Sequence, residues 1–171
     1  MKKFVARKSG PAAGATLWSV LLAFAASNAM AASPGSIVVK GKPSTLTSAY
    51  AYHHPASYDA AVIQTTVVLS DKAIDIRKVK AAGGDFDKAL HAWLDEAKAA
   101  YWEAIFYPDG TLWSGTVVSP GVFLYGGTGC DVQMTRNDAK RVEGACQTAD
   151  EKQKENKEDG VYVDVKFALD L

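Results

Sequence analysis

The sequence lacks the short signatures of the common hydrolases and has few of the side chains from which other catalytic centres are built. It contains no G-x-S-x-G, H-E-x-x-H or S-x-x-K motif, and it has only two cysteines and three histidines. A serine nucleophile on a sharp turn, a zinc-binding helix and a serine–lysine pair each require one of these motifs. We therefore assign no catalytic residue, no metal ligand and no cofactor from the sequence.

Beyond residue 31 the sequence has no hydrophobic run long enough to span a bilayer, which needs about 20 apolar residues. The start of the chain is different, because four basic residues precede the apolar stretch 12–26, and the small residues Ala29 and Ala31 follow it. This order predicts a signal peptide over residues 1–31. The stretch is too short for a comfortable membrane anchor, and no cysteine follows the predicted cut to carry a lipid.

The sequence also has no excess of positive or negative charge, with 19 basic and 19 acidic residues in the whole chain. The predicted leader holds four of the basic residues and no acidic one, so residues 32–171 carry 15 against 19, a net charge of −4. A mildly acidic protein has no electrostatic attraction for nucleic acid or anionic lipid. We expect one exported domain over 32–171, with no nucleic-acid partner and no integral membrane segment after processing.

What the chain does have is strand patterning, clearest at its end. Over residues 161–171 the odd positions are all apolar and the even positions are mostly polar. Strict alternation predicts a strand with one buried and one wet face, which is typical of antiparallel sheets. Further strands are predicted over 36–40, 46–53, 62–69, 102–107, 111–118 and 122–125.

Turn residues separate several of these strands. Gly41-Lys42-Pro43 follows the first strand, and Tyr107-Pro108-Asp109-Gly110 suits a type I turn between the two strands of a hairpin. Ser119-Pro120-Gly121-Val122 fits a type II turn, because glycine accepts the positive φ of its third position.

One amphipathic helix is predicted within Asp85 to Tyr101, and a shorter helix or irregular turn over 74–82. The large apolar residues of the longer helix fall on one face, namely Phe86, Leu90, Trp93, Leu94 and Ala97. Strand patterns far outnumber helical ones. The sequence therefore predicts a mainly β domain, an antiparallel β sandwich or open barrel in which one inserted helix covers one face or opening.

The two cysteines, Cys130 and Cys146, predict a structural disulfide. Residues 131–135 and 140–145 resemble two strands of a hairpin, and a turn centred at residue 138 would place Cys130 opposite Cys146. A redox-active pair is the alternative, but it usually has its cysteines two residues apart beside a helix N-terminus.

The strongest candidate for a binding surface is the stretch around residues 50–54. On a strand, Tyr50, Tyr52 and His54 share one face, while Ala51 and His53 take the other. Tyrosine offers a flat apolar ring with a hydrogen-bonding tip, so the first face could form an exposed platform for a sugar ring, a peptide or a protein. The alternative is a sheet face half covered by a loop.

The histidines give little support for a metal site. His53 and His54 are adjacent on a predicted strand and would point to opposite sides, even with Asp59 nearby. His91 lies on the predicted helix and is expected at its surface or boundary. We also expect Trp93, Trp102 and Trp113 in the core or at its edge.

Three segments show a resemblance to known proteins: Gly41-Lys42-Pro43, Ala49-Tyr50-Ala51-Tyr52 and residues 67–72, Val-Val-Leu-Ser-Asp-Lys. This arrangement resembles segments of small exported bacterial proteins that carry no assigned activity. The resemblance implies a β-rich fold and an exported location, which in a Gram-negative bacterium is the periplasm or the medium. It brings no catalytic residues.

Three functions agree with these patterns. The first is a binding or interaction module of the cell envelope without catalytic activity, whose partner is a protein or small ligand. The second is an inhibitor of a secreted lysozyme or peptidase, which would present the loop Gly126 to Gly129 beside the crosslink. The third is a small enzyme that uses His53 or His54 with an acidic residue.

Overall fold

The computed structural model describes residues 34–149 and 160–171, so the predicted signal peptide lies outside the described residues. In the described part of the chain, ten strands and two helices follow in this order: β1 (Gly35–Val39), β2 (Lys42–Leu46), β3 (Ser48–Pro55), β4 (Ile63–Ser70), α1 (Ile76–Ala81), α2 (Phe86–Glu96), β5 (Tyr101–Phe106), β6 (Leu112–Ser119), β7 (Val122–Tyr125), β8 (Asp131–Asn137), β9 (Arg141–Gln147) and β10 (Val161–Asp170).

The strands form two five-stranded sheets in which neighbours are antiparallel. We call the sheet with the order β2-β1-β10-β9-β8 the outer sheet, and the sheet with the order β3-β4-β5-β6-β7 the inner sheet. The predicted mainly β, antiparallel fold is confirmed. Of the two architectures expected, the arrangement matches the sandwich.

The two sheets pack face to face around one hydrophobic core. The alternation predicted for β10 is confirmed, since Val163, Val165 and Phe167 are buried in this core. Trp102 on β5 is fully buried beside Phe167, with the ring centroids 5.9 Å apart. Burying each such large side chain contributes roughly 1.5–3 kcal/mol.

Both helices lie on the face of the inner sheet that is turned away from the outer sheet. Leu90 and Leu94 of α2 are fully buried in a second cluster with Val68 of β4 and Tyr101 of β5. The central strands of the inner sheet are therefore buried on both faces, and β4 is buried from Gln64 to Ser70. Neither helix in the described residues is long and apolar enough to cross a bilayer.

The predicted longer helix is present as α2 within Asp85 to Tyr101, and it ends at Glu96, before Lys98, whose positive φ of 49° turns the chain into β5. One predicted element boundary was wrong. The predicted strand 46–53 is the end of β2 and most of β3, which are separate strands divided at Thr47. The shorter helical segment is present as α1.

The predicted disulfide between Cys130 and Cys146 is present, with the two Cα atoms 5.5 Å apart. The predicted register was wrong, because Val132 lies opposite Cys146 and Cys130 precedes the first residue of β8. The register of β8 against β9 shifts between Met134 and Arg136, where β8 contains one extra residue. The error comes from the turn, because Asn137 pairs with Val142 and the hairpin is therefore centred between Ala139 and Lys140 and not at residue 138. The β-bulge moves the pairing by one residue back toward the prediction.

Candidate ligand-binding cleft

The structure brings the three predicted binding residues together on β3, facing the helices. Tyr52 is only 9% exposed, and its ring packs edge-on against Phe86 at the start of α2, with centroids 4.9 Å apart. Tyr50 lies 5.7 Å from the same ring. The expectation of an exposed platform was therefore wrong for Tyr50 and Tyr52, because the apolar side of α2 covers their rings. His54, at the far end of β3, is half-buried.

Beside this contact the helices and the inner sheet enclose a cleft of about 700 Å³, a volume typical of small-molecule sites. Its lining comes from β3, the loop after it, β4, β5, β6, α1 and the start of α2: Tyr50, Tyr52, His53, His54, Pro55, Ser57, Gln64, Lys80, Asp85, Phe86, Asp87, Ile105 and Trp113. All three predicted binding residues are among these.

Trp113 lines the cleft because of an irregularity in β6. Ile105 of β5 pairs with Ser114 and Phe106 pairs with Leu112, so Trp113 between them has no partner in the ladder. An extra residue of this kind redirects a side chain. Leu112 packs against the sandwich core, whereas Trp113 is 38% exposed and lies at the cleft, further out than the core edge that we expected.

Gln64 on β4 is the most unusual polar group of the cleft. It pairs with His54 across the ladder and is 2% exposed, and its Nε2 has no hydrogen-bond partner among the described residues. A buried donor without a partner costs about 1–3 kcal/mol. Nε2 itself is not exposed to the cleft, so a ligand oxygen would remove this cost after the Gln64 side chain rotates toward the cleft. Sequence reasoning missed Gln64, although an amide within a run of β-branched residues was a usable signal.

The two adjacent histidines bind neighbouring threonines of β4. Nε2 of His54 lies 2.8 Å from Oγ1 of Thr66, and Nδ1 of His53 lies 3.1 Å from Oγ1 of Thr65. Because successive residues of β4 face opposite sides, the two imidazoles are directed apart as expected. In residues 34–149 and 160–171, no group of three or more metal-ligating side chains is found.

A chain of charged hydrogen bonds borders the cleft, and it was not anticipated from the sequence. The hydroxyl of Tyr52 donates to Oδ1 of Asp87 over 2.5 Å. Nε2 of His91 lies 2.8 Å from Oε2 of Glu103. Nδ1 of His91 donates to the backbone carbonyl oxygen of Asp87 over 2.9 Å and forms an ion pair with Oδ2 of the same residue at 3.6 Å. The chain joins β3, α2 and β5, since its members come from all three.

Three groups in this chain, Tyr52, Asp87 and His91, have pKa values that are shifted by their surroundings. Hydrogen bonds with Asp87 and Glu103 raise the pKa of His91 to about 11, although partial burial opposes the shift. The hydrogen bond with His91 lowers the pKa of Asp87 to about 2. Burial is the main cause that raises the pKa of Tyr52. At neutral pH the chain is therefore a neutral phenol, a carboxylate and an imidazolium, and its role is to fix α2 on the inner sheet.

The loop from Gly126 to Gly129, proposed above as the contact loop of a hydrolase inhibitor, is held at both ends and in the middle: the N–H of Gly126 donates to the carbonyl of Gly115, and the carbonyl of Gly129 accepts from the hydroxyl of Thr148. Thr128 is 3% exposed, and its carbonyl oxygen accepts a hydrogen bond of 3.2 Å from Nε1 of Trp102. Thr128 also lies against Gly115 of β6, where no side chain would fit. The side chain of Thr128 is therefore buried and does not face solvent.

The cleft combines a half-open volume of about 700 Å³, aromatic walls and a buried amide that lacks a partner among the described residues. These are the features by which small-molecule sites are recognised. Comparison of the chain with protein-family models, with curated proteins and with solved structures finds no match.

Proposed function

We propose that this protein is an exported binding module that holds a small, ring-shaped polar ligand in the cleft beside α2. The observation that carries the proposal is the buried amide of Gln64, which lines the cleft and has no hydrogen-bond partner among the described residues. An unpaired buried donor destabilises the folded protein, and a binding site is a place where a ligand can supply the missing acceptor.

The two carboxylates that line the cleft are both engaged by the protein. Asp85 is the N-cap of α2, and its carboxylate accepts from the backbone N–H of Asp87 and Lys88. The carboxylate of Asp87 is engaged by Tyr52 and His91. The lining side chains left for a ligand therefore include two donors, the amide of Gln64 and the amine of Lys80, which suit a ligand rich in oxygen acceptors. Aromatic walls add flat apolar surface suited to a ring.

The compartment follows from the predicted leader together with the crosslink. Disulfides persist in oxidising spaces such as the periplasm and the extracellular medium. The Cys130–Cys146 bond and the signal pattern of residues 1–31 support such a location. The ligand would then be a small compound of the cell envelope or the medium.

The proposal is tested by screening neutral sugars and nucleosides against the isotope-labelled protein. We expect a true ligand to raise the unfolding temperature and to shift the side-chain amide resonances of Gln64. Gln64→Leu should abolish both effects. Gln133→Leu makes the same chemical change at an exposed position of β8 on the outer sheet and should preserve them. Equal ligand binding by wild type and Gln64→Leu would rule the proposal out.

A further inference from the structure

We infer that the ligand is an oligosaccharide, and that its chain leaves the cleft across a second subsite formed by Tyr58 and Trp113. This inference rests on the proposed function and names its ligand class. The two side chains are 54% and 38% exposed, and their ring centroids are 6.3 Å apart with an interplanar angle of 33°. Exposed aromatic surface of this kind commonly marks an interaction site.

The second subsite is continuous with the cleft because Trp113 belongs to both. Trp113 lines the cleft and contacts Tyr58, which is in the loop between β3 and β4. A ligand that fills the cleft and extends past Trp113 therefore meets the ring of Tyr58 next. Single rings would use the cleft alone, whereas longer chains would use both parts.

The loop that carries Tyr58 is ordered by its own hydrogen bonds. The N–H of Ala56 donates to the carbonyl of Val62 over 2.8 Å, and the N–H of Val62 donates to the carbonyl of Asp59 over 3.0 Å. The carboxylate of Asp59 accepts from the N–H of Ala61 over 2.9 Å. The ring of Tyr58 is thus presented on a prearranged turn, so a ligand loses little free energy in ordering it.

The lining of the cleft favours a saccharide. Its floor is the face of the inner sheet, where β4 and β5 are paired on both sides and offer a ligand side chains instead of backbone groups. β3 is an edge strand with one unpaired side, so strand addition by a peptide is the competing outcome of the experiment. A pyranose presents a flat C–H face to aromatic rings and oxygen acceptors at its rim, which match the aromatic walls and the side-chain donors of Gln64 and Lys80.

The experiment measures affinity by calorimetry for two series, N-acetylglucosamine oligomers and cellulose oligomers, each from the monosaccharide to the hexasaccharide. For the wild type we expect affinity in at least one series to rise with chain length. Tyr58→Ala should lower the affinity for the longer oligomers by roughly two- to tenfold, the range expected for a lost aromatic contact. The affinity for the monosaccharide should be unchanged.

Tyr125→Ala is the matched control, because Tyr125 is 71% exposed on β7 and does not line the cleft. It should bind every oligomer as the wild type does. Affinity that is independent of chain length, or a Tyr58→Ala variant that keeps the full rise, would overturn the second subsite and leave the cleft assignment intact. A nucleoside or peptide that shifts the Gln64 resonances when no sugar does would overturn the saccharide assignment. Failure of the proposed function itself shows instead as unaltered binding by Gln64→Leu.

Discussion

Nε2 of His91 on α2 lies 2.8 Å from Oε2 of Glu103 on β5, and this contact joins the helical layer to the middle of the inner sheet. The Glu103 side chain is 6% exposed, whereas that of His91 is 32% exposed. Glu103 therefore depends on His91 for its positive counter-charge. Since α2 also supplies Phe86 and Asp87 to the cleft, the pair helps to set the shape of the binding site.

We expect His91→Gln to lower the free energy of unfolding by roughly 1–3 kcal/mol, because it leaves the buried Glu103 carboxylate without its charged partner. Urea unfolding measures this change. Glu103→Gln should cost less, since it leaves a partly exposed imidazole that water can solvate. In the double variant the loss should be smaller than the sum of the two single losses. Additive losses would show that the two residues act independently.

The pH dependence of stability should follow the two shifted groups. The pKa of His91 is about 11 in the folded protein against 6.5 unfolded, so its contribution is complete below pH 6.5 and declines as the pH rises above it. The pKa of Asp87 is about 2 against 3.8, so its contribution is complete above pH 3.8 and declines as the pH falls below it. We expect the free energy of unfolding to be greatest between pH 3.8 and pH 6.5, where both contributions are complete.

Urea midpoints measured from about pH 3 to pH 9 test this dependence, in a range where the raised pKa values of Tyr52 and Tyr101 keep both phenols neutral. His91→Gln should flatten the decline on the alkaline side. A wild-type midpoint that stays constant from pH 6 to pH 9 would contradict the assigned charge of His91.

Gln64→Leu should raise the free energy of unfolding by about 1 kcal/mol, because it removes a buried donor that the folded protein does not satisfy. Leucine is apolar and of similar size. Gln64→Glu keeps the shape but buries a carboxylate, so this variant should be less stable than the wild type at pH 7 and should recover in acid. Thermal unfolding at both pH values distinguishes the variants. A less stable leucine variant would mean that the amide is satisfied.

Removal of the disulfide should cost about 3 kcal/mol, the loop-closure value for a loop of roughly 15 residues. The variant Cys130→Ala/Cys146→Ser is compared with the wild type in urea, and the wild type is also measured after reduction. The two treatments should agree if the crosslink acts on the unfolded chain. An unchanged midpoint would assign the bond no structural role.

Gly115→Ala should destabilise the protein by roughly 1–3 kcal/mol through overpacking. A Cβ at this position would lie 2.4 Å from Cγ2 and 2.9 Å from the backbone nitrogen of Thr128. Gly127→Ala is the matched control, because a Cβ there would have no heavy atom within 4 Å. Differential scanning calorimetry of both variants should show a lower unfolding temperature for Gly115→Ala alone.

Period-two patterns made much of the sandwich predictable. The alternation of Val163, Val165 and Phe167 indicated which face of β10 is buried, and the same rule placed Tyr50 and Tyr52 on one face of β3. These inferences needed only local geometry. Register did not follow, because the β8–β9 hairpin is centred between Ala139 and Lys140 and not at residue 138, and a change of turn centre leaves the composition of both strands unchanged.

The candidate site was predictable only in part. The sequence placed Tyr52 and the apolar face of α2 correctly, but not their contact, since Tyr52 and Asp87 are 35 positions apart. The bulge that redirects Trp113 and the isolation of the Gln64 amide depend on how three strands and a helix meet. Pairwise contacts across such distances are not encoded in the periodicity of any single segment.

The three-layer order of the fold separates Leu171 from the helices. Leu171 follows β10 in the outer sheet, and the inner sheet lies between that layer and the helices. The residue is 37% exposed, and its N–H donates to the carbonyl of Lys140. A fluorescent label attached at residue 171 would therefore report on the outer sheet independently of the helical layer.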